Sequence, residues 1–285
     1  MPTGWTLSSP QRVRLADYDP GDTGDLNQDQ AQAALAPLLT RLADQQNLLY
    51  GAQKQSVLIV LQGLDTAGKD GVIKHVTTPL NPLGCRVASF KAPSEEELSH
   101  DFLWRIHQQT PARGIITIFN RSQYEDVLVA RVHQLVPPAE WNGRYTEINQ
   151  FERMLVRNGT LVLKFFLHIS KGEQRKRLLA REDDRGKAWK LSVADWQDHA
   201  CWEAYQAAYE DALGRCSAKW APWYIVPSDH KWYRNYVVAQ RIVERLAHHE
   251  RLWRAELETR GRREVAKLEA FRAVGRPGTK DGALS

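Results

Sequence analysis

Cysteine is scarce in this 285-residue chain: Cys85, Cys201 and Cys216 are odd in number and widely spaced. That excludes a disulfide framework and a cysteine-based metal cluster, and the three read as buried thiols in a reducing compartment. Long apolar runs are missing too, and none approaches the roughly 20 residues that a membrane-spanning helix needs. The first residues carry neither a basic start nor an apolar stretch, so no export signal is expected and the cytoplasm is the expected compartment. Strong charge of one sign is absent from most of the chain. The formal net charge is +5, but residues 241–285 hold eleven Lys and Arg against seven Asp and Glu, a surplus of four, which leaves +1 for the remainder. Basic residues there must be local, which excludes a general nucleic-acid-binding face. No Ser-His-Asp, Cys-His or Asp-His arrangement is evident, so His75 and His168 read as structural histidines.

What is present is more specific. The run Val57-Leu58-Ile59-Val60-Leu61 is apolar and uninterrupted, as a buried parallel strand should be. It leads into Gly63-Leu64-Asp65-Thr66-Ala67-Gly68-Lys69-Asp70-Gly71, and a helix start follows. The spacing G-x-x-x-x-G-K between strand and helix is that of a phosphate-binding loop, in which backbone N–H groups and a helix N-terminus face an anion and Lys69 adds a point charge. The residue after the lysine is Asp70 rather than Ser or Thr, and Asp65 lies inside the loop. Carboxylates beside phosphate repel it unless a cation lies between them, so Asp65 reads as a ligand for Mg²⁺. Asp70 reads equally as a helix cap and as part of the site.

Five strands are predicted, at 56–62, 86–90, 115–119, 161–167 and 222–226, with room for a crossover helix between each pair. That alternation predicts a parallel sheet with helices on both faces, and ligands then bind beyond the carboxyl ends of the strands. The rule selects the glycine loop, Lys91 to Ser94, Asn120-Arg121-Ser122, His168, and Pro227 to Lys231. Three units are expected: a Gly-, Pro- and Asp-rich solvated arm at 1–28, the domain at 29–245, and a charged helical extension at 246–285. The third strand ends in Asn120, a neutral oxygen donor, where phosphate-loop enzymes carry a metal-organising acid. Glu125 and Asp126 arrive slightly later, and Arg121 stands where it could grip a phosphoryl group. After the fourth strand, Lys171, Arg175, Lys176, Arg177 and Arg181 punctuate one helix, with Arg185, Lys187 and Lys190 beyond it. Arg177 and Arg181 share a face. The run reads as a cationic lid over about 171–195, against the plainer reading of a solvated helix face.

These residues resemble the polyphosphate kinase 2 family. The likeness spans about residues 30–245 and rests on the glycine loop, on Ser89 to Ser94, Phe102 to Arg105, Phe119 to Val127, Arg144-Tyr145 with Phe151-Glu152, Lys187 to Lys190, and Ala221 to Trp232. The resemblance implies a thymidylate-kinase-like α/β fold with a helical lid. It implies Mg²⁺-dependent phosphoryl transfer between inorganic polyphosphate and nucleotides, with Mn²⁺ as an admissible substitute. The Asn-Arg-Ser-x-Tyr-Glu-Asp pattern is similar to the class III members, which phosphorylate both AMP and ADP; guanine nucleotides are further candidates. Asp65 corresponds to the family's metal-organising carboxylate, Lys69 to its loop lysine and Arg121 to its essential arginine. Arg177, Arg181, Lys187 and Lys190 lie where the family has lid cations that close on polyphosphate. A homodimer or homotetramer is implied.

The expected catalytic set is therefore Asp65, Lys69, Arg121 and Glu125, with Glu125 and Asn120 as further candidates for the metal shell. The expected phosphate and nucleotide contacts are Gly63, Ala67, Gly68, Lys69, Asp70, Gly71, Lys74, Lys91, Arg105 and Asn120. An ATP-dependent kinase for a small acceptor, or a non-catalytic binder of nucleotide or polyphosphate, are the alternatives.

Overall fold

The computed structural model describes residues 4–183 and 192–274. Its centre is β2 (Ser56–Gln62), every residue of which is buried. Two parallel strands flank it, β4 (Ile116–Asn120) on one side and β5 (Thr160–His168) on the other. Beyond β4 lies β3 (Cys85–Ser89), and beyond β5 lies β6 (Trp223–Pro227), both parallel to their neighbours. All five lie within one residue of their predicted bounds at either end. β2, β5 and β6 are buried along their whole length, as parallel strands covered on both faces are, whereas the edge strand β3 is largely exposed.

A sixth strand corrects the expectation of a solvated arm. β1 (Trp5–Leu7) pairs antiparallel with β6, Trp5 opposite Ile225, so that the order is β1-β6-β5-β2-β4-β3. Leu7, Val13 and Leu15 are buried, and the Asp229 N–H donates to the Pro20 carbonyl at 3.1 Å. The arm covers the β6 edge that would otherwise be left open, and Asp19 and Asp22 spend carboxylate oxygens on their own turns, at Gly21 N and Gly24 N.

Helices cover both faces. The long α1 (Gln28–Ala52) opens on a capping box, Asn27 and Gln30 exchanging side-chain and backbone hydrogen bonds at 2.9 and 3.0 Å. It packs against α10 (Lys231–Ala247), which in turn meets α2 (Lys69–Thr77). On the other side α6 (Pro138–Arg157) lies on β5. The boundary expected at residue 245 falls inside α10. The following helix, α11 (Glu250–Val274), packs on α1, with Trp253 fully buried and its indole N–H on Gln55. Cys216 is buried, whereas Cys85 and Cys201 are only half-buried. Among the described residues no helix is long and apolar enough to cross a membrane.

Candidate active site

The sheet order places a topological switch at β2, because the chain leaves it toward β3 and β4 on one side and returns to β5 and β6 on the other. A cleft of about 750 Å³ opens there, over the strand ends. Its lining includes seven cations (Lys69, Lys91, Arg121, Arg177, Arg181, Lys231 and Arg234) and three carboxylates (Asp65, Asp70 and Asp195).

Two glycines permit the loop at its floor. Gly63 has φ +153°, and a Cβ there would lie 2.8 Å from the Leu167 carbonyl oxygen of β5. Gly68 has φ +107°, and a Cβ there would overlap the Arg234 guanidinium. Lys69 opens α2 and is buried, its ammonium donating to the carbonyls of Gly63 at 2.6 Å and Leu64 at 3.3 Å. Burial, and then the nearby Arg121, lower the Lys69 pKa; Asp65, Glu125 and Asp70 oppose them.

Arg121 leaves β4 with φ +64°, a left-handed backbone that a non-glycine residue rarely adopts and that costs strain. Its guanidinium bridges Asp65 at 2.8 Å and Glu125 at 2.9 Å. Burial alone would raise the Asp65 carboxyl, but Lys69 and Arg121 outweigh it and hold it below its ordinary value. Glu125, and against burial Asp65, hold the Arg121 proton more firmly than usual. Asp65, Lys69, Arg121 and Glu125 therefore meet in one place, as the sequence predicts. Asn120 is tied to Asp70, its side-chain N–H donating at 3.0 Å, so both stand at the cleft mouth.

Other expected residues lie elsewhere. Lys74 is exposed on α2 and does not line the cleft. It is five residues past Lys69, about 140° round the helix, so it points away. Arg105 is buried behind the rim, donating to the Lys91 carbonyl at 2.8 Å and approaching Asp126 at 3.8 Å. It supports the Lys91 segment instead of facing the cleft. Burial raises its partner Asp126 to about 6, against the pull of Arg105 and Arg144. Arg177 does line the cleft, but its donors are taken: Nε serves the Glu173 carboxylate at 2.8 Å, and the two terminal nitrogens serve the backbone, Thr66 at 3.0 Å on one side, Ser228 at 2.8 Å and Asp229 at 2.7 Å on the other. It staples the phosphate loop to the loop after β6. Arg181 pairs with Asp195 at 2.7 Å across the cleft wall. Lys187 and Lys190 lie outside the described residues. His168 is buried, with Nε2 on the Tyr18 carbonyl at 3.0 Å.

Lys231 closes the strand-end segment that the topology rule selects, though no contact was assigned to it, and Arg234 was not anticipated. Arg234 is buried and donates to the Ala67 carbonyl at 3.0 Å and the Asn235 side-chain oxygen at 2.9 Å, both neutral acceptors. Burial, then Arg177, push its pKa down to about 9. Arginine keeps its proton at neutral pH regardless, so the shift registers a buried cation that an incoming anion would stabilise. The signal in the sequence was the strand-end segment ending at Lys231; Arg234 is one turn further along the same helix face.

Comparison with known proteins gives a consistent result. The family model described as Polyphosphate kinase 2 (PPK2) matches residues 25–253. An AMP/ADP-polyphosphate phosphotransferase of Meiothermus ruber is 50% identical over 237 residues, covering 82% of this chain and 89% of the relative. An ADP-polyphosphate phosphotransferase of Rhodopseudomonas palustris is 49% identical over 216 residues, covering 72% and 75%. The crystal structure of polyphosphate kinase 2 from Arthrobacter aurescens TC1 superposes with a TM-score of 0.82 at 42% identity, covering 85% of this chain and 88% of that one.

Proposed function

The chain belongs to the polyphosphate kinase 2 family, and on that premise we propose that it transfers phosphoryl groups from inorganic polyphosphate to AMP and ADP. One observation carries the reading: cations lie on both sides of Lys69. Lys91 and Arg121 follow β3 and β4, while Arg181, Lys231 and Arg234 follow β5 and β6. Two phosphate-bearing substrates can then meet end to end over the loop, each with its own counter-charges. A single nucleotide needs fewer cations than this, and a phosphate chain, charged at every unit, needs several in a row.

The acceptor is itself a phosphate and arrives ionised near neutral pH. Transfer therefore needs alignment and charge neutralisation more than a general base. Lys69 exchanges its loop carbonyls for a phosphate oxygen, and Arg121 turns from its two carboxylates toward the phosphoryl group in flight. The strained Arg121 backbone fixes where that guanidinium begins.

The donor set fits Mg²⁺. Among the described residues no three His, Cys, Asp or Glu side chains form a ready-made cage. Asp65, kept ionised by its neighbours, and the Asn120 and Asp70 oxygens are the hard ligands that Mg²⁺ takes alongside substrate phosphates. Glu125 is the next candidate, directly or through water. Bound there, the ion would neutralise charge on the phosphate oxygens. Mn²⁺ shares the preference for oxygen donors.

A donor-by-acceptor matrix tests the function: polyphosphate or ATP against AMP, ADP, GMP and GDP, with products separated by chromatography. AMP with polyphosphate and Mg²⁺ should yield ADP and then ATP. Turnover with ATP alone as donor would favour an ATP-dependent kinase, and tight binding without turnover a non-catalytic protein. Asp65→Asn tests the metal assignment. Its kcat should fall about a hundredfold at low Mg²⁺ and recover in part as Mg²⁺ is raised. Full activity at low Mg²⁺ would remove Asp65 from the metal shell.

A further inference from the structure

Lys164 is the one Lys, Arg, Asp or Glu in β5, and none of its side-chain surface is exposed. Its ammonium contacts Glu152 of α6 at 2.6 Å, the Tyr124 hydroxyl at 3.0 Å and the Cys216 carbonyl at 2.6 Å. Glu152 is equally buried. Apolar replacement of such a pair is often neutral or stabilising, so stability alone does not account for it. Its remaining bonds converge on one segment. The second Glu152 oxygen accepts from the Gln123 side chain at 3.0 Å and from the Tyr124 hydroxyl at 2.8 Å.

Gln123 and Tyr124 open the 3-10 turn Gln123–Asp126, whose third residue is Glu125, and Arg121 stands two residues before it. Ser122, between them, accepts from the Gln62 side chain at 2.9 Å. The span that presents Arg121 and Glu125 to Asp65 is thus bolted to β2, β5 and α6 from beneath. We propose that Lys164, Glu152 and Tyr124 are positioning residues for the phosphoryl-transfer chemistry. They touch no substrate; they hold the turn so that Arg121 keeps its left-handed backbone and its guanidinium its aim. The proposal rests on the reading above, in which Arg121 and Glu125 act on the transferred group.

The test is steady-state kinetics with polyphosphate and AMP, and melting temperatures, on the full chain. Tyr124→Phe keeps the ring packing and removes only the hydroxyl. Its kcat should fall fivefold or more, with KM for both substrates within twofold of wild type. The double variant Lys164→Met with Glu152→Leu removes both charges together. It should melt at or near the wild-type temperature yet keep a comparably reduced kcat. A kcat within fivefold of wild type for Tyr124→Phe, or a loss expressed equally in KM, overturns the proposal. So does a double variant whose restored stability brings restored kcat. Should the double variant not fold, Tyr124→Phe decides alone. A wild-type enzyme inactive with polyphosphate under every condition removes the underlying function instead, and this inference with it.

Discussion

Replacing Arg121 with alanine is expected to lower kcat by about three orders of magnitude or more, the range seen when a transition-state arginine is lost. The expectation comes from three features of its setting. Its backbone is strained at φ +64°, and such strain persists only where surrounding structure enforces it. Its two guanidinium arms are held by two carboxylates, Asp65 and Glu125, at 2.8 and 2.9 Å. Its side chain keeps a third of its surface exposed, at the cleft, so it is free to turn toward a ligand. A planar, always-charged fork suits a phosphoryl group whose charge is spread over several oxygens. Lysine offers one point charge from a different position, so Arg121→Lys should remain at least tenfold impaired. The fold should survive, because β4 and its pairing end at Asn120. In wild type the lowered Asp65 pKa contributes stability that is present above the ordinary carboxylate value and is lost as pH falls through the lowered one. With Arg121 gone that contribution shrinks, so the acid side of the melting profile should move up in pH. Chromatographic product assays and melting temperatures from pH 3 to pH 8 check both effects. An Arg121→Ala enzyme within tenfold of wild type would show that the arginine is a structural clasp and nothing more.

Most of the parallel strands were legible in the sequence because β2, β4, β5 and β6 are short, mostly apolar runs, and runs of that kind have few other homes, whereas β3 carries Arg86 and is largely exposed. The glycine loop was legible because its constraint is local: positive φ at Gly63 and Gly68, then a lysine at the helix start. Strand ends located the site, since the topology rule needs only the order of elements. What failed was the placement of several residues whose setting depends on particular contacts distant in sequence. β1 has three residues in a Gly- and Pro-rich stretch, and only its pairing with Trp223–Ile225 makes it a strand. Arg105 looks like an exposed cation one helix away from the loop, but Phe90 and the Lys91 carbonyl take it inward. Arg177 carries the spacing of a lid cation, yet Glu173 and two stretches of backbone claim its donors before a substrate can. Lys164 did leave a trace, a lone charge within an apolar strand; its partner Glu152 lies on a separate element, which periodicity cannot supply.

Lys69 poses the sharpest conflict between stability and activity in the molecule. Its ammonium is buried, and burial lowers its pKa despite three carboxylates nearby. The unfolded chain therefore binds that proton more tightly than the folded one. Below the lowered value the folded protein bears the cost of a buried charge. As pH rises through that value toward the ordinary lysine value of 10.5, the cost fades and stability rises. Methionine has a similar length and no charge. Lys69→Met should lower kcat by about two to three orders of magnitude, the usual loss when a preorganised charge stabiliser is removed. The same variant should melt at or above the wild-type temperature at pH 7, and that advantage should narrow toward pH 10. The carbonyls of Gly63 and Leu64 lose a donor in the exchange, which limits the gain. Strained or uncompensated charge held for function is where stabilising substitutions are expected to cost activity. Melting curves at pH 7, 8.5 and 10, beside kcat for polyphosphate and AMP, separate the two contributions. If Lys69→Met lowers the melting temperature equally at all three values, the ammonium is a structural clamp on the loop. If it rises at pH 7 and the enzyme falls silent, the loop holds its charge in reserve for phosphate.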